Sequence, residues 1–168
     1  VLPELFPAAS LEWSQKFKAI ATQASRVVTI SQTSSNDITQ HLGIDTTKIN
    51  VIYNGVTTLT INNHFDTSTL PKTPYIVYLG SHDKHKNLEV ILESMTDPIT
   101  SDTHLCLIGN NKECESIVKK LKIENKVSFL GRLTDEDTSY VIKNAFALVF
   151  PSLYEGFGLP PMEAALLG

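Results

Sequence analysis

The spacing of apolar residues changes character near Pro74. From Tyr75 onward, short apolar runs alternate with segments of helical period. "YIVYLG", "HLCLIG", "VSFLG" and "ALVFPS" read as four strands. "NLEVILESM", "CESIVKKLK", "DEDTSYVIKNA" and "PMEAALLG" read as the helices that follow them. Each strand is apolar at successive positions, so both of its faces are covered. That is the pattern of a parallel sheet with helices on both faces, built from βαβ units. Thr134 is placed to cap the third helix, and Pro160 and Pro161 suit the first turn of the fourth.

Upstream the pattern is less regular. "LEWSQKFKAIATQA" has apolar residues at Trp13, Phe17, Ile20 and Ala24, a helical spacing that places Trp13 and Phe17 in a core. "RVVTI" reads as a short strand, and "SQTSSNDITQHLG" as a capped helix stopped by Gly43. "INVIYNGV" reads as a strand running into an Asn-Gly turn. "TTLTINNHFDTSTLPKTP" has no period and reads as a linker or long loop.

Composition narrows the function classes. At 168 residues with 42% hydrophobic, the chain can bury a real core. Its 14 Lys and Arg against 18 Asp and Glu give a net charge of −4, which argues against a nucleic-acid partner. Cys106 lies in an apolar run and reads as a small core residue; with Cys114 it forms no CxxC pair. No apolar run approaches membrane-spanning length, so no transmembrane segment is expected. The chain begins at Val1 and ends in what reads as mid-helix, so it is expected to be a piece of a longer protein.

In a sheet of this kind, ligands bind beyond the carboxyl ends of the strands, where the strand order reverses. With the common order 3-2-1-4, the loops after the first and fourth strands flank that point. They are "GSHDKHKN" and "PSLYEGFGLPP". A glycine turn opening a helix offers N–H groups to an anion, and Lys84 or Lys86 across the crevice supplies positive charge. Together they describe a phosphate or diphosphate site. Glu155 and Glu163 would repel phosphate unless they accept hydrogen bonds from hydroxyls, and a nucleotide-sugar carries hydroxyls at both ends. The plainer alternatives are that Glu155 bonds its own loop and that Glu163 is a first-turn acid favoured by the helix dipole. His82 and His85 lie three apart with no third ligand nearby and do not read as a metal site. Asp135 to Asp137 read as acids at a helix N-terminus, and "GNNKE" as a turn that could line a base pocket. No G-x-G-x-x-G follows a strand, which argues against a Rossmann dehydrogenase.

"YEGFGLPPMEA" resembles the E-x7-E motif of the retaining GT-B glycosyltransferases of group 1, glycosyltransferase family four. "YIVYLGSHDKHKNLEVIL", "RVVTISQTSSNDI", "INVIYNGV" and "VSFLGRLTDEDTSYVIKNA" resemble other elements of that family, in its order. The resemblance implies a truncated GT-B carboxyl-terminal domain of Rossmann-like fold. Residues 1–56 would be the tail of an acceptor domain and the interdomain linker, 57–74 a loop, and 75–168 an incomplete nucleotide-sugar-binding domain. It also implies residue roles. Glu163 would bind the ribose. Glu155, the catalytic candidate, would contact the donor hexose near the reacting end. Gly156, Phe157, Gly158 and Leu159 would offer backbone to the diphosphate and sugar, and Lys86 would bind the diphosphate. Gly80 would close the first strand, and Arg132 and Leu133 would touch the nucleobase. Ser81 stands where many relatives have arginine, which shifts phosphate neutralisation onto Lys86, Lys84 or His85.

The implied function is donor binding in an enzyme that transfers a hexose from a UDP- or GDP-linked sugar to a glycan or lipid-linked acceptor. No cofactor and no metal would be required. The parent would be cytoplasmic, or peripheral at the inner membrane. The chain alone would be inactive, and its exposed "ALVF" edge would favour self-association. The alternatives are a non-catalytic sugar-nucleotide-binding or interaction domain, or another GT-B-like enzyme such as a nucleotide-sugar epimerase.

Overall fold

A computed structural model describes residues 7–57, 59–110 and 112–168. Contacts divide the chain into two units. The first ends at Gly55 and takes in Glu155–Phe157; the second comprises Val56–Tyr154 and Gly158–Gly168.

The first unit contains helix α1 (Pro7–Gln23), strand β1 (Val27–Thr29), helix α2 (Gln32–Leu42) and strand β2 (Ile49–Val51). β1 and β2 pair in parallel, with Val28 opposite Asn50. α2 forms where its caps dictate. The Ser31 side chain accepts the Ser34 N–H at 3.0 Å, and Gly43, at φ 66°, returns its N–H to Thr39 O. Two expectations fail here. Trp13 and Phe17 are not core: they are 50% and 39% exposed, and their rings pack on each other at 5.6 Å. No element among the described residues buries that stripe, so helical period gave the helix but not a covered face. Nor does a turn form at Asn54–Gly55, where residues 52–57 continue without regular structure. An Asn-Gly turn is favoured where antiparallel strands must be joined, and β2 pairs in parallel.

The second unit carries β3 (Tyr75–Leu79), α3 (Leu88–Ser94), β4 (His104–Ile108), α4 (Glu115–Leu121), β5 (Val127–Gly131), α5 (Asp135–Lys143), β6 (Ala147–Leu148) and α6 (Leu159–Leu167). The sheet is parallel with order β5-β4-β3-β6, which in sequence terms is 3-2-1-4. Side chains alternate between its faces with period two. Tyr78, Leu105 and Leu107 face one core with Leu88, Leu92 and Met95 of α3 and its end and Val118 of α4. Val77, Cys106 and Ile108 face the other with Val141 and Ile142 of α5, and Ala164 and Leu167 of α6 pack against it. Helices thus cover both faces, and Cys106 is a buried core residue. Burial pushes its thiol up to about 12, so it stays protonated.

Three details bear on the site. The segment read as a linker packs onto α5: Asn62 Nδ2 donates to Asp137 Oδ1 at 2.7 Å, and Phe65 stacks on Tyr140 at 5.2 Å. β5 shifts register against β4 between Leu107 and Ile108, so Ile108 pairs with Gly131 rather than Leu130. β6 is shorter than the apolar run suggests. Flanking bonds extend it from Phe146 N–H to Tyr75 O and from Val149 N–H to Val77 O, but Pro151 has no N–H with which to continue. Among the described residues β6 is an edge of the sheet, with Phe146 83% exposed beside it.

Candidate functional site

The carboxyl ends of β3, β4 and β5 open onto a cavity of about 360 Å³ within the second unit. Leu79 and Ile108 form its floor as the last residues of β3 and β4, and Gly109 continues from β4. The register shift in β5 has a consequence here. Gly109 N–H donates to Gly131 O at 2.7 Å, and Gly131 turns at φ 68°. Arg132 and Leu133 follow directly and line the cavity. Asp135, Thr138, Ser139 and Ile142 of α5 form one wall, and Thr57 and Leu59 contribute from the segment before β3. Thr134 fixes where α5 starts by accepting the Asp137 N–H at 3.2 Å.

Glu163 reaches the same cavity from α6. α6 begins at Leu159, so Glu163 stands in its second turn and no acid occupies the first. The dipole explanation for this glutamate therefore weakens, because that effect fades beyond the first turn. Two of the four N–H groups that a helix leaves unbonded at its start are missing, because Pro160 and Pro161 have none. The donors that remain are those of Gly158 and Leu159. Gly158 holds φ 83° and ψ 65°, a left-handed conformation that favours glycine.

The loop after β3 is held by its own hydrogen bonds. Gly80 N–H extends the ladder to Ile108 O at 3.0 Å. The Tyr78 hydroxyl donates to Ser81 O at 2.7 Å, and the Ser81 hydroxyl donates to the Asp83 carboxylate. Lys84–Lys86 form a single 3-10 turn, closed by Lys86 N–H to Asp83 O at 2.8 Å. The loop adjoins the one after β6: Leu153 N–H donates to His85 O at 2.8 Å, and Asn87 Nδ2 to Pro151 O at 3.3 Å. Lys86 Nζ lies 5.9 Å from the Phe150 ring centre. His82 faces two carboxylates, Glu89 at 3.7 Å and Glu113 at 3.8 Å. Among the described residues no three or more His, Cys, Asp or Glu side chains are grouped to hold a metal.

Within the first unit, Gly156 lies against the segment between β1 and α2. A Cβ there would come within 3.2 Å of Ile30 Cδ1. The Phe157 ring is 6.2 Å from that of Tyr53. The candidates named from sequence thus fall into three groups. Arg132, Leu133 and Glu163 share the cavity; Gly80, Ser81 and Lys86 lie in the hydrogen-bonded loop, with Gly158 and Leu159 at the start of α6; Glu155, Gly156 and Phe157 go with the first unit. Sequence reasoning missed the α5 wall. Thr138 and Ser139 read as ordinary helix residues, and only the position of α5 over the strand ends marks them. "GNNKE" contributes Gly109, while Asn111 lies outside the described residues.

Residues 60–168 match the family model described as glycosyl transferases group 1. The O-antigen chain mannosyltransferase RfbU of Salmonella typhimurium is 29% identical over 152 residues, which is 88% of this chain and 41% of that protein. The MMP alpha-(1->4)-mannosyltransferase of Mycolicibacterium hassiacum is 27% identical over 156 residues, 90% of this chain and 37% of that protein. The structure of Anabaena Alr3699/HepE in complex with UDP-glucose is similar at TM-score 0.77 and 21% identity, over 94% of this chain and 46% of that one. At that identity the likeness is one of fold. The chain spans about two-fifths of the length of these two mannosyltransferases. Among the described residues no helix is long and apolar enough to cross a membrane.

Proposed function

The chain belongs to the glycosyl transferases of group 1, with the GT-B fold, and on that premise we propose that it binds the nucleotide-sugar donor of a retaining hexosyl transfer. The observation that carries this reading is the cavity at the strand ends, where Arg132, Leu133 and Glu163 meet although the third follows the first two by 31 and 30 positions. A nucleoside fits the chemistry of that lining. Apolar Leu79, Ile108 and Leu133 accept the base, and polar groups stand around it for its edge. Glu163 accepts the ribose hydroxyls. The diphosphate then lies toward the start of α6, where Gly158 and Leu159 offer N–H groups and Lys86 a positive charge. We assign the hexose contact to Glu155 by its motif alone.

The chain's own groups hold and orient the donor. Fixing the diphosphate by N–H donors stabilises the charge that develops as the bond to the sugar breaks. Holding donor and acceptor together is the other large part of such a transfer. The acceptor, a glycan or a lipid-linked sugar, would be positioned by residues outside the donor cavity. Two of the similar proteins are mannosyltransferases by name, and the HepE structure holds UDP-glucose, so mannose and glucose are the first hexoses to try.

The test is calorimetric titration of the chain with UDP, GDP and ADP, each beside its free nucleoside. One diphosphate should bind at least about ten-fold more tightly than its nucleoside, the equivalent of about 1.4 kcal/mol. Absence of binding by all three, or equal affinity for nucleoside and diphosphate, would refute a donor site.

A further inference from the structure

We propose that Tyr78 is a positioning residue for the diphosphate loop, an inference that rests on the donor-site reading above. Tyr78 is the penultimate residue of β3 and is only 1% exposed, packed among Leu88, Leu92 and Met95. In so apolar a setting a phenylalanine would fill nearly the same space. The hydroxyl is what differs, and a buried hydroxyl needs a partner. It runs forward along the strand, past Gly80, and donates to the Ser81 carbonyl at 2.7 Å.

Two further features follow from that bond. A Cβ on Gly80 would come 3.0 Å from the Tyr78 hydroxyl and 3.3 Å from Cζ, so the glycine makes room for the phenol. And because a trans peptide is planar, drawing the Ser81 carbonyl toward the core turns the next N–H, that of His82, the opposite way. Tyr78 thus sets the direction in which the loop leaves the sheet. Downstream the loop is tied in series: Ser81 hydroxyl to Asp83 carboxylate, Asp83 carbonyl to Lys86 N–H, and His85 carbonyl to Leu153 N–H. Lys86 and the start of the β6 loop therefore take their places from a chain of bonds whose first member is the buried phenol. Ser81, whose hydroxyl is engaged inside the loop, acts in that chain as a spacer.

The test uses Tyr78→Phe, which keeps the ring and its packing, in the whole chain. Amide hydrogen exchange without ligand should quicken about five-fold over residues 80–87, while amides of β4 keep their rates. Affinity for the nucleoside diphosphate that the wild-type chain prefers should fall about five-fold with affinity for the nucleoside unchanged, the effect of one neutral hydrogen bond. Gly80→Ala should give at least a similar loss in the wild-type background, because Gly80 also holds φ 156°, where an L-residue is strained, and a smaller additional loss beside Tyr78→Phe, because the nearest obstructing atom is then gone. Unchanged exchange in the loop overturns the clamp, whether or not nucleotide binds. Quickened exchange with equal losses for nucleoside and diphosphate overturns the positioning role. A wild-type chain that binds no nucleoside diphosphate overturns the donor reading and the positioning role with it.

Discussion

Replacing Glu163 by alanine tests the ribose assignment most directly. The carboxylate stands in the second turn of α6, half-buried, on the wall of the cavity. Hydrogen bonds to a charged group contribute about 1.5–3 kcal/mol each when well shielded. Glu163 is only half-buried, so two bonds to ribose hydroxyls should together contribute about 1–3 kcal/mol. In affinity that is a loss of about 5- to 150-fold. The substitution should leave stability nearly unchanged, because alanine is the better helix former and the glutamate is not in the first turn. The assay is a calorimetric cycle. Wild-type and Glu163→Ala chains are each titrated with the preferred nucleoside diphosphate and with its 2′,3′-dideoxy form. Removing the hydroxyls from the ligand should cost the wild type about as much as removing the carboxylate from the protein, and removing both should cost little more than either. Simple addition of the two losses would show that the carboxylate and the ribose do not meet. An unchanged affinity for the full nucleotide would take Glu163 out of the site altogether.

Lys86→Ala should weaken diphosphate binding far more than nucleoside binding; equal losses in a titration would contradict a phosphate role. Gly158→Ala should destabilise the second unit by about 1–2 kcal/mol in urea unfolding, the penalty of a left-handed conformation for an L-residue. Its added methyl would meet Phe150 Cε1 at an ordinary 3.5 Å, so a loss much beyond that range would point to a clash the geometry does not contain. Burial holds His104 below its usual 6.5, and its ring bonds the Ser128 hydroxyl at 2.9 Å. A depressed folded value means stability is full above pH 6.5 and declines as pH falls through the lowered value. Thermal melts of His104→Gln should show a shallower decline there, and an unaltered slope would assign the effect to other groups.

How far the sequence reaches depends on the range of the physics involved. The four strands of the second unit were legible because an apolar run covered on both faces has one common use, and the helices between them because their caps and periods are local. Parallel pairing with helical crossovers then favoured the order 3-2-1-4, which is the order found. The turn with its two prolines could also be placed at a helix start, since Pro160 and Pro161 forbid most alternatives.

Contacts between distant segments were another matter. Helical period identified α1 yet placed Trp13 and Phe17 in a core they do not occupy, because period says which residues share a face and not whether anything covers it. Asn54-Gly55 has the composition of a hairpin turn, but the strand before it pairs in parallel and leaves no hairpin to close. The α5 wall of the cavity depends on where α5 lies over the strand ends, and the register shift that pairs Ile108 with Gly131 is a matter of one residue; no alternation of apolar and polar positions records either. The reach of Tyr78 to Ser81 depends on the missing Cβ of Gly80 between them, and in sequence that tyrosine is simply one more apolar strand residue. Local preference and hydrophobic period determined the elements and their order. Which surfaces meet, and hence which side chains share a cavity, is set by contacts between segments far apart in the chain, and only the folded arrangement decides those.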